Sequence, residues 1–414
     1  VPVLLVGDTA WSLIVELSDA DTLRYLDDRR ARGVNLILVN LIEHQFSSHQ
    51  PPWRTAKGVL PFSNVNDFST LSKAYLDRVE WVVKAAANRG IGVLLVPAYV
   101  GIGCGGQGWC AEMRANGPAR LKAYGRLLGT RLRAYPNVIW THGGDTTPSD
   151  SDLKLVLAIK AGIDETVPAA MHAYHWGSGD APAADKRLTD IDIDTIYSYE
   201  TGTQHRPGLA ARALNAGVRP FIFIEGTYEN EHGASPATWR EQMYGPILTG
   251  GAGFVFGNYP IWPFAAPGAP NYGFGDGKFA KGWTEALGGP GSRDLARAAG
   301  FFRGLRWYSL QPDLDGVLLT AGAGRQGLAD YAVMTRSADK RLAVGYFPSR
   351  RTFTIDLRQM AGSLVEARWF SPASGKYNRI SGSPFSTERA RTFTSPGPRT
   401  DGTSDWILLL ERLS

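Results

Sequence analysis

Two acidic side chains sit where a chain could do chemistry. Asp145 ends the stretch Asn137-Val138-Ile139-Trp140-Thr141-His142-Gly143-Gly144-Asp145, and Glu225 directly follows Pro220-Phe221-Ile222-Phe223-Ile224. Packing poorly explains a charged Glu placed straight after five apolar residues. The glycines before Asp145 permit a sharp turn and the close approach of a ligand. Two carboxyl groups held about 5 Å apart can cleave a glycosidic bond with retention: one attacks the anomeric carbon, while the other gives and later takes a proton. The division expected is Glu225 as nucleophile and Asp145 as acid/base, the one used by retaining barrels whose acids end the seventh and fourth strands. The competing readings are a helix cap for Asp145 and an internal salt-bridge partner for Glu225. Glu200 is the rival acid, and Tyr197 or Tyr199 before it can hydrogen-bond a nucleophile.

Further polar and aromatic residues cluster after other apolar runs. Asp8 and Trp11 follow the first, Asn40, Glu43 and His44 the second, and Tyr99 the third. His142 belongs to the fourth, His172 and His175 to the fifth, Tyr199 and Glu200 follow the sixth, Tyr228 the seventh and Trp262 the eighth. Such polar groups bind sugar hydroxyls, and aromatic rings stack on apolar sugar faces, so all are candidate substrate contacts. Packing competes for several of them: His142 and His172 as core histidines, Asp8 as a cap, Trp11 as core.

Eight short apolar runs separated by helix-like stretches must position these residues. That alternation predicts a (β/α)8 TIM barrel with its site at the strand ends. Helices are expected near 19–32, 69–89, 118–134, 149–165, 207–216, 236–248 and 292–305. The connections following strands two, three and eight are long and hold Trp53, Trp109, Tyr259, Trp262, Phe264 and Tyr272, as a binding cleft would. From about Gln311 the apolar period changes to two, with Ser, Gly, Pro and Asp between runs. The division expected is a barrel over 1–310 and a small antiparallel β-sandwich over 311–414.

The chain has 414 residues, 43% hydrophobic and 20% charged, with a net charge of +5. This is ordinary globular composition. No basic stripe interleaves with aromatics and no run of 18 apolar residues occurs, so neither a nucleic-acid partner nor a membrane span is expected. Cys104 and Cys110 lie in one Gly-rich loop and can close a small disulfide or remain thiols; a metal would need more ligands. A disulfide points to a secreted or periplasmic protein. Seven histidines leave a metal-dependent hydrolase open as an alternative, and a non-catalytic carbohydrate-binding protein is the other. No cofactor or metal is expected.

Val6-Gly7-Asp8-Thr9-Ala10-Trp11-Ser12-Leu13 and Tyr25-Leu26-Asp27-Asp28-Arg29-Arg30-Ala31-Arg32-Gly33-Val34-Asn35 resemble the apiosidase-like glycoside hydrolases, as do Gly143-Gly144-Asp145 and Glu225-Gly226-Thr227-Tyr228-Glu229. The resemblance covers roughly residues 1 to 310. It implies a (β/α)8 barrel, a catalytic pair at Asp145 and Glu225, and a furanoside (apiosyl- or arabinofuranosyl-like) substrate drawn from a plant or bacterial glycan. Where family members carry a Gly-His-Thr-Tyr-Gly type segment on strand eight, this chain has Gly253-Phe254-Val255-Phe256-Gly257-Asn258. The tail, with Ala367-Arg368-Trp369-Phe370-Ser371-Pro372 and Asp405-Trp406-Ile407-Leu408-Leu409-Leu410-Glu411, is similar to a β-module labelled collagen-binding.

Overall fold

Eight parallel strands form the first sheet: β1 (Leu5–Thr9), β2 (Leu36–Asn40), β3 (Gly92–Val96), β4 (Val138–Gly143), β5 (Met171–His175), β6 (Asp194–Ser198), β7 (Phe221–Gly226) and β8 (Gly253–Phe256). Their order is β5-β4-β3-β2-β1-β8-β7-β6, and a parallel bridge between Ala173 and Ile193 closes β5 onto β6. The result is the expected barrel. The computed structural model describes residues 2–49, 53–200, 205–215, 218–269 and 282–413; Tyr272 lies outside them.

The continuous apolar runs follow from burial on both faces. Leu36, Leu38, Leu94, Val96, Ile222 and Ile224 fill the barrel interior. Their neighbours Ile37, Val39, Val93, Leu95, Phe221 and Phe223 pack outward against the helices.

Those helices are α1 (Asp19–Ala31), α2 (Lys73–Ala87), α3 (Cys110–Leu132), α4 (Asp150–Asp164), α5 (His205–Asn215), α6 (Pro236–Leu248) and α7 (Pro290–Arg303). Ser18, Ser72, Ser149 and Ser235 each accept a backbone N–H at a helix start, the usual answer to unpaired first-turn donors. Residues 69–72 stay outside α2, because Ser72 caps it and a 3-10 turn at Phe68–Thr70 comes first. Helix α3 starts at Cys110, eight residues before Pro118, but breaks at Gly117, where φ is 71°. Between β5 and β6 the described chain has a 3-10 turn, Pro182–Ala184, and no α-helix. Trp176, Tyr174 and Leu153, backed by Leu188 and Ile191, cover that flank instead.

After α7 the chain forms two antiparallel sheets. The larger runs β9 (Leu310–Pro312), β11 (Val333–Ser337), β12 (Leu342–Phe347), β18 (Trp406–Arg412), β14 (Leu364–Phe370) and β15 (Tyr377–Arg379), with β16 (Phe385–Ser386) also paired to β14. The smaller joins β10 (Leu319–Ala321), β13 (Thr352–Asp356) and β17 (Ala390–Thr394). Strand β18 shows why Trp406-Ile407-Leu408-Leu409-Leu410 carries no polar alternation. Trp406, Leu408 and Leu410 pack inside the sandwich, whereas Ile407 and Leu409 join the barrel's core. On that second face Tyr346 stacks on Tyr244 of α6, and Phe370 lies 4.6 Å from Phe301 of α7. The sheets are thus docked on the barrel's flank.

Candidate active site

Strand β4 ends in three successive residues with positive φ: Gly143 (93°), Gly144 (126°) and Asp145 (54°). A Cβ on Gly144 would lie 2.1 Å from the Tyr99 ring, and one on Gly143 2.7 Å from the Trp176 ring, so only glycine fits either place. The left-handed turn costs a side-chain-bearing residue roughly 1–2 kcal/mol. It swings Asp145 over the barrel mouth, where the Tyr99 hydroxyl donates to Oδ2 at 2.5 Å.

Glu225 arrives by a different device. Along β6 and β7, Ile196 pairs with Phe223 but Tyr197 pairs with Glu225, so Ile224 is an extra residue, a β-bulge. Strict alternation would turn Glu225 outward after the inward Ile224. The bulge re-aims it into the mouth.

The two carboxylates meet over His175. Donor atoms of Asp145, His175 and Glu225 all lie within 4.8 Å of one another. His175 Nε2 is 3.1 Å from Glu225 Oε2 and 3.9 Å from Asp145 Oδ1. His175 and Glu225 attract each other by hydrogen bonding and by charge, although in strict geometry Asp145 Oδ1 and Glu225 Oε2 have no aligned donor among the described residues. On its other oxygen, Glu225 receives the Tyr199 hydroxyl at 3.4 Å. Burial and then the charge of Asp145 push the Glu225 carboxyl above its ordinary range, with His175 pulling the other way. Burial disfavours the His175 cation, but Glu225 and Asp145 outweigh it and raise that imidazole.

A pocket opens above the pair. Eight of the sequence-selected residues line it: Trp11, Asn40, Tyr99, Asp145, Tyr199, Glu225, Tyr228 and Trp262. Trp11 donates to the Tyr228 hydroxyl at 3.1 Å, tying the first strand end to the seventh. His175 is fully buried beneath the pair and stacks against Trp11, so it supports the floor rather than lining the pocket. Glu43 backs Asn40: it accepts from Asn40 at 3.2 Å and from Ser12 at 2.9 Å, and burial pushes its carboxyl up. His44 packs between Trp53 and Trp109, outside the lining.

Four sequence-selected residues are placed elsewhere. Asp8 points outward from β1 and binds Arg29 at 2.7 Å and Tyr25 at 2.6 Å. His142 and His172 also face outward, 3.0 Å apart, and His172 continues to Asp164 at 2.9 Å. Glu200 is exposed and pairs with Arg206 at 3.2 Å.

The remaining lining residues, Phe46, Ile102, Gln107 and Glu231, were not among the sequence candidates. Ile102 precedes and Gln107 lies within the loop closed by a Cys104–Cys110 disulfide. Glu231 sits in Glu229-Asn230-Glu231-His232-Gly233, whose Asn and Gly mark the turn that aims it.

Residues 1–309 match the family model described as "Apiosidase-like, catalytic domain", and residues 317–411 match "Putative collagen-binding domain of a collagenase". A glycoside hydrolase family 5 structure from Bacteroides vulgatus ATCC 8482 superposes with a TM-score of 0.83 at 21% identity, over 99% of this chain and 89% of that one. A second structure, named simply a glycoside hydrolase, gives 0.83 at 20% identity over 99% and 93%. At such identities the likeness establishes shared architecture. No curated protein matches the chain in sequence.

Proposed function

Because the chain belongs to the apiosidase-like family of catalytic domains and is a glycoside hydrolase, we propose that it works with retention of anomeric configuration through Glu225 and Asp145. The observation that carries this reading is the separation of the two acids. Retaining enzymes hold their carboxyl groups about 5–5.5 Å apart, whereas inverting ones leave about 6.5–9.5 Å for a water. Here one oxygen of Asp145 lies within 4.8 Å of one of Glu225, which favours the shorter spacing.

In the first step the Glu225 carboxylate forms a bond to the anomeric carbon as the glycosidic bond breaks, and Asp145 gives its proton to the departing oxygen. In the second, Asp145 takes a proton from water, whose oxygen replaces Glu225 on the sugar. His175 favours the ionised form of Glu225, and Tyr199 holds its Oε1. Tyr99 fixes Asp145 by Oδ2, leaving Oδ1 to exchange the proton. Trp11, Tyr228 and Trp262 offer apolar faces to the ring, and Asn40 offers an amide to its hydroxyls.

The proposed substrate is a furanoside, apiosyl- or arabinofuranosyl-like, on a plant or bacterial glycan, as the family's name suggests. The Cys104–Cys110 disulfide supports a secreted or periplasmic setting. Reaction of furanosides and cell-wall glycans followed by NMR tests the mechanism: the first-formed product should keep the substrate's anomeric configuration, and an inverted product overturns it. Among the described residues a metal-dependent reading could stand on Asp145, His175 and Glu225, which could together hold a cation. Full activity after exhaustive treatment with a chelator excludes it.

A further inference from the structure

The acid/base sits on a turn that holds itself poorly. Gly143, Gly144 and Asp145 are all left-handed, and residues 144–149 form neither helix nor strand. What steadies the turn comes from the loop after β3. Thr146, next to Asp145, accepts the Gly103 backbone N–H on its hydroxyl at 2.6 Å and donates to the Gly101 carbonyl at 2.7 Å. The Val100 N–H donates to the Gly143 carbonyl at 3.2 Å. Tyr99, whose hydroxyl grips Asp145, takes the Trp109 N–H on its own carbonyl at 2.8 Å. The loop therefore meets the turn on both sides of the acid.

That loop has little of its own to keep its shape. Five of the eight residues 101–108 are glycine, and the 3-10 turn Ile102–Cys104 buries no residue. Ile102 is 53% exposed. Gly101, Gly103 and Cys104 are left-handed, and glycine loses more freedom on ordering than any other residue. One covalent link closes the segment: Cys104 joins Cys110, six residues on and buried at the start of α3. The link draws the glycine-rich stretch against a helix that the core anchors, and from there Gly101 and Gly103 meet Thr146.

We propose that the Cys104–Cys110 disulfide is a positioning device for the reaction: through Thr146 and Tyr99 it holds the Asp145 carboxyl where the proton is exchanged. This rests on Asp145 being the acid/base, and the test separates the two. The probes are 2,4-dinitrophenyl and phenyl α-L-arabinofuranosides. Dinitrophenolate departs without a proton, whereas phenolate needs one, and kcat/KM reads this first step. Cys104→Ala combined with Cys110→Ala should lower kcat/KM of the folded protein about tenfold or more for the phenyl probe, and leave the dinitrophenyl probe within about threefold. Thr146→Val removes the bridging hydroxyl but keeps the disulfide. It should split the probes the same way by a smaller factor, and it serves if the cysteine variant does not fold.

A second readout needs no substrate. The Gly144 amide donates to the His175 carbonyl at 2.8 Å. Its hydrogen exchange should quicken about tenfold in the cysteine variant (in Thr146→Val, should the former not fold) while exchange in β1 holds. Equal losses on both probes, unchanged kinetics, or unchanged Gly144 exchange overturns the proposal. Asp145→Ala runs alongside. If it splits the probes and the cysteine variant does not, the pair stands and the tether fails. If it leaves them unsplit, the pair falls and the proposal with it. Should wild type cleave neither probe, the furanoside reading falls and Gly144 exchange decides the tether.

Discussion

Two buried acid clusters of this molecule are built on opposite rules. On the flank, where the sheets dock, Arg240 is 1% exposed in its side chain and uses its full set of donors. Its Nε and Nη2 grip the two oxygens of Asp405 at 2.9 Å each, Nη1 reaches Asp294 at 3.0 Å and Asp401 at 3.1 Å, and Nη2 also donates to Thr403 at 2.6 Å. Asp294 is further met by Trp239 at 3.0 Å and Arg297 at 2.6 Å. At the mouth, Asp145 and Glu225 share one imidazole, each keeps an oxygen without an aligned donor, and Asp145 sits in a strained turn. A saturated cluster has nothing left to offer a substrate. An unsaturated one costs folding free energy and keeps its lone pairs for chemistry. Burial of an acid therefore does not mark a site by itself; here the mark is two carboxylates that face each other across a pocket, each with an oxygen unmet.

The largest effects should split along this line. Replacing Glu225 by Gln should lower kcat by about 10⁴-fold or more, since the attacking group is gone. The same change should raise the melting temperature at neutral pH. The folded-state pKa of Glu225 is elevated by burial, so whatever stability it contributes is present at low pH and is lost as pH rises through that pKa. At neutral pH the ionised residue opposes folding, and Gln relieves this. Arg240→Met should do the reverse: a loss of about 3–5 kcal/mol in denaturant unfolding, because Asp405 and Asp294 lose their main buried partner, with kcat of the folded fraction unchanged. A destabilised Glu225→Gln protein would show that the mouth is a structural cluster after all.

A subtler effect concerns the proton balance. His175 favours the Glu225 carboxylate, so His175→Asn should shift the acid limb of kcat/KM to higher pH than in wild type. Measured across pH, the variant should lose most activity on the acid side. A uniform loss at every pH would mean that His175 only shapes the floor.

Much of this contrast was legible in the sequence, and the part that was not has a simple geometric cause. Strand runs, the seven helices and the change to period two could be read because both faces of the barrel strands are apolar and the helices end at Gly or begin at Ser. Which way a polar residue points depends on strand parity, which the apolar neighbours reveal. On β4 and β5, Ile139 and Ala173 face in, so His142, three residues after Ile139, and His172, next to Ala173, face out. Asp8 follows the same rule beside Gly7 on β1. Parity alone would also have rejected Glu225, and it took a bulge, which leaves no local mark in Phe223-Ile224-Glu225, to bring that residue in. Glu231 escaped because a turn, rather than a strand, aims it.

The smallest expected effect is at Glu200, the acid that competes with the chosen pair on sequence grounds. Tyr197 and Tyr199 of the same segment face the barrel mouth, so the alternation carries Glu200 outward, where its side chain is 67% exposed beside Arg206. An exposed pair of this kind contributes about 0–1 kcal/mol. Glu200→Ala should therefore leave kcat/KM within about twofold of wild type and the unfolding free energy within about 1 kcal/mol. This near-null result separates position from chemistry, because Glu200 and Glu225 are the same residue type at the ends of adjacent strands. Were Glu200→Ala to abolish turnover in a folded protein, the acid that matters would lie outside the pocket, and the withheld partners of Asp145 and Glu225 would need another explanation.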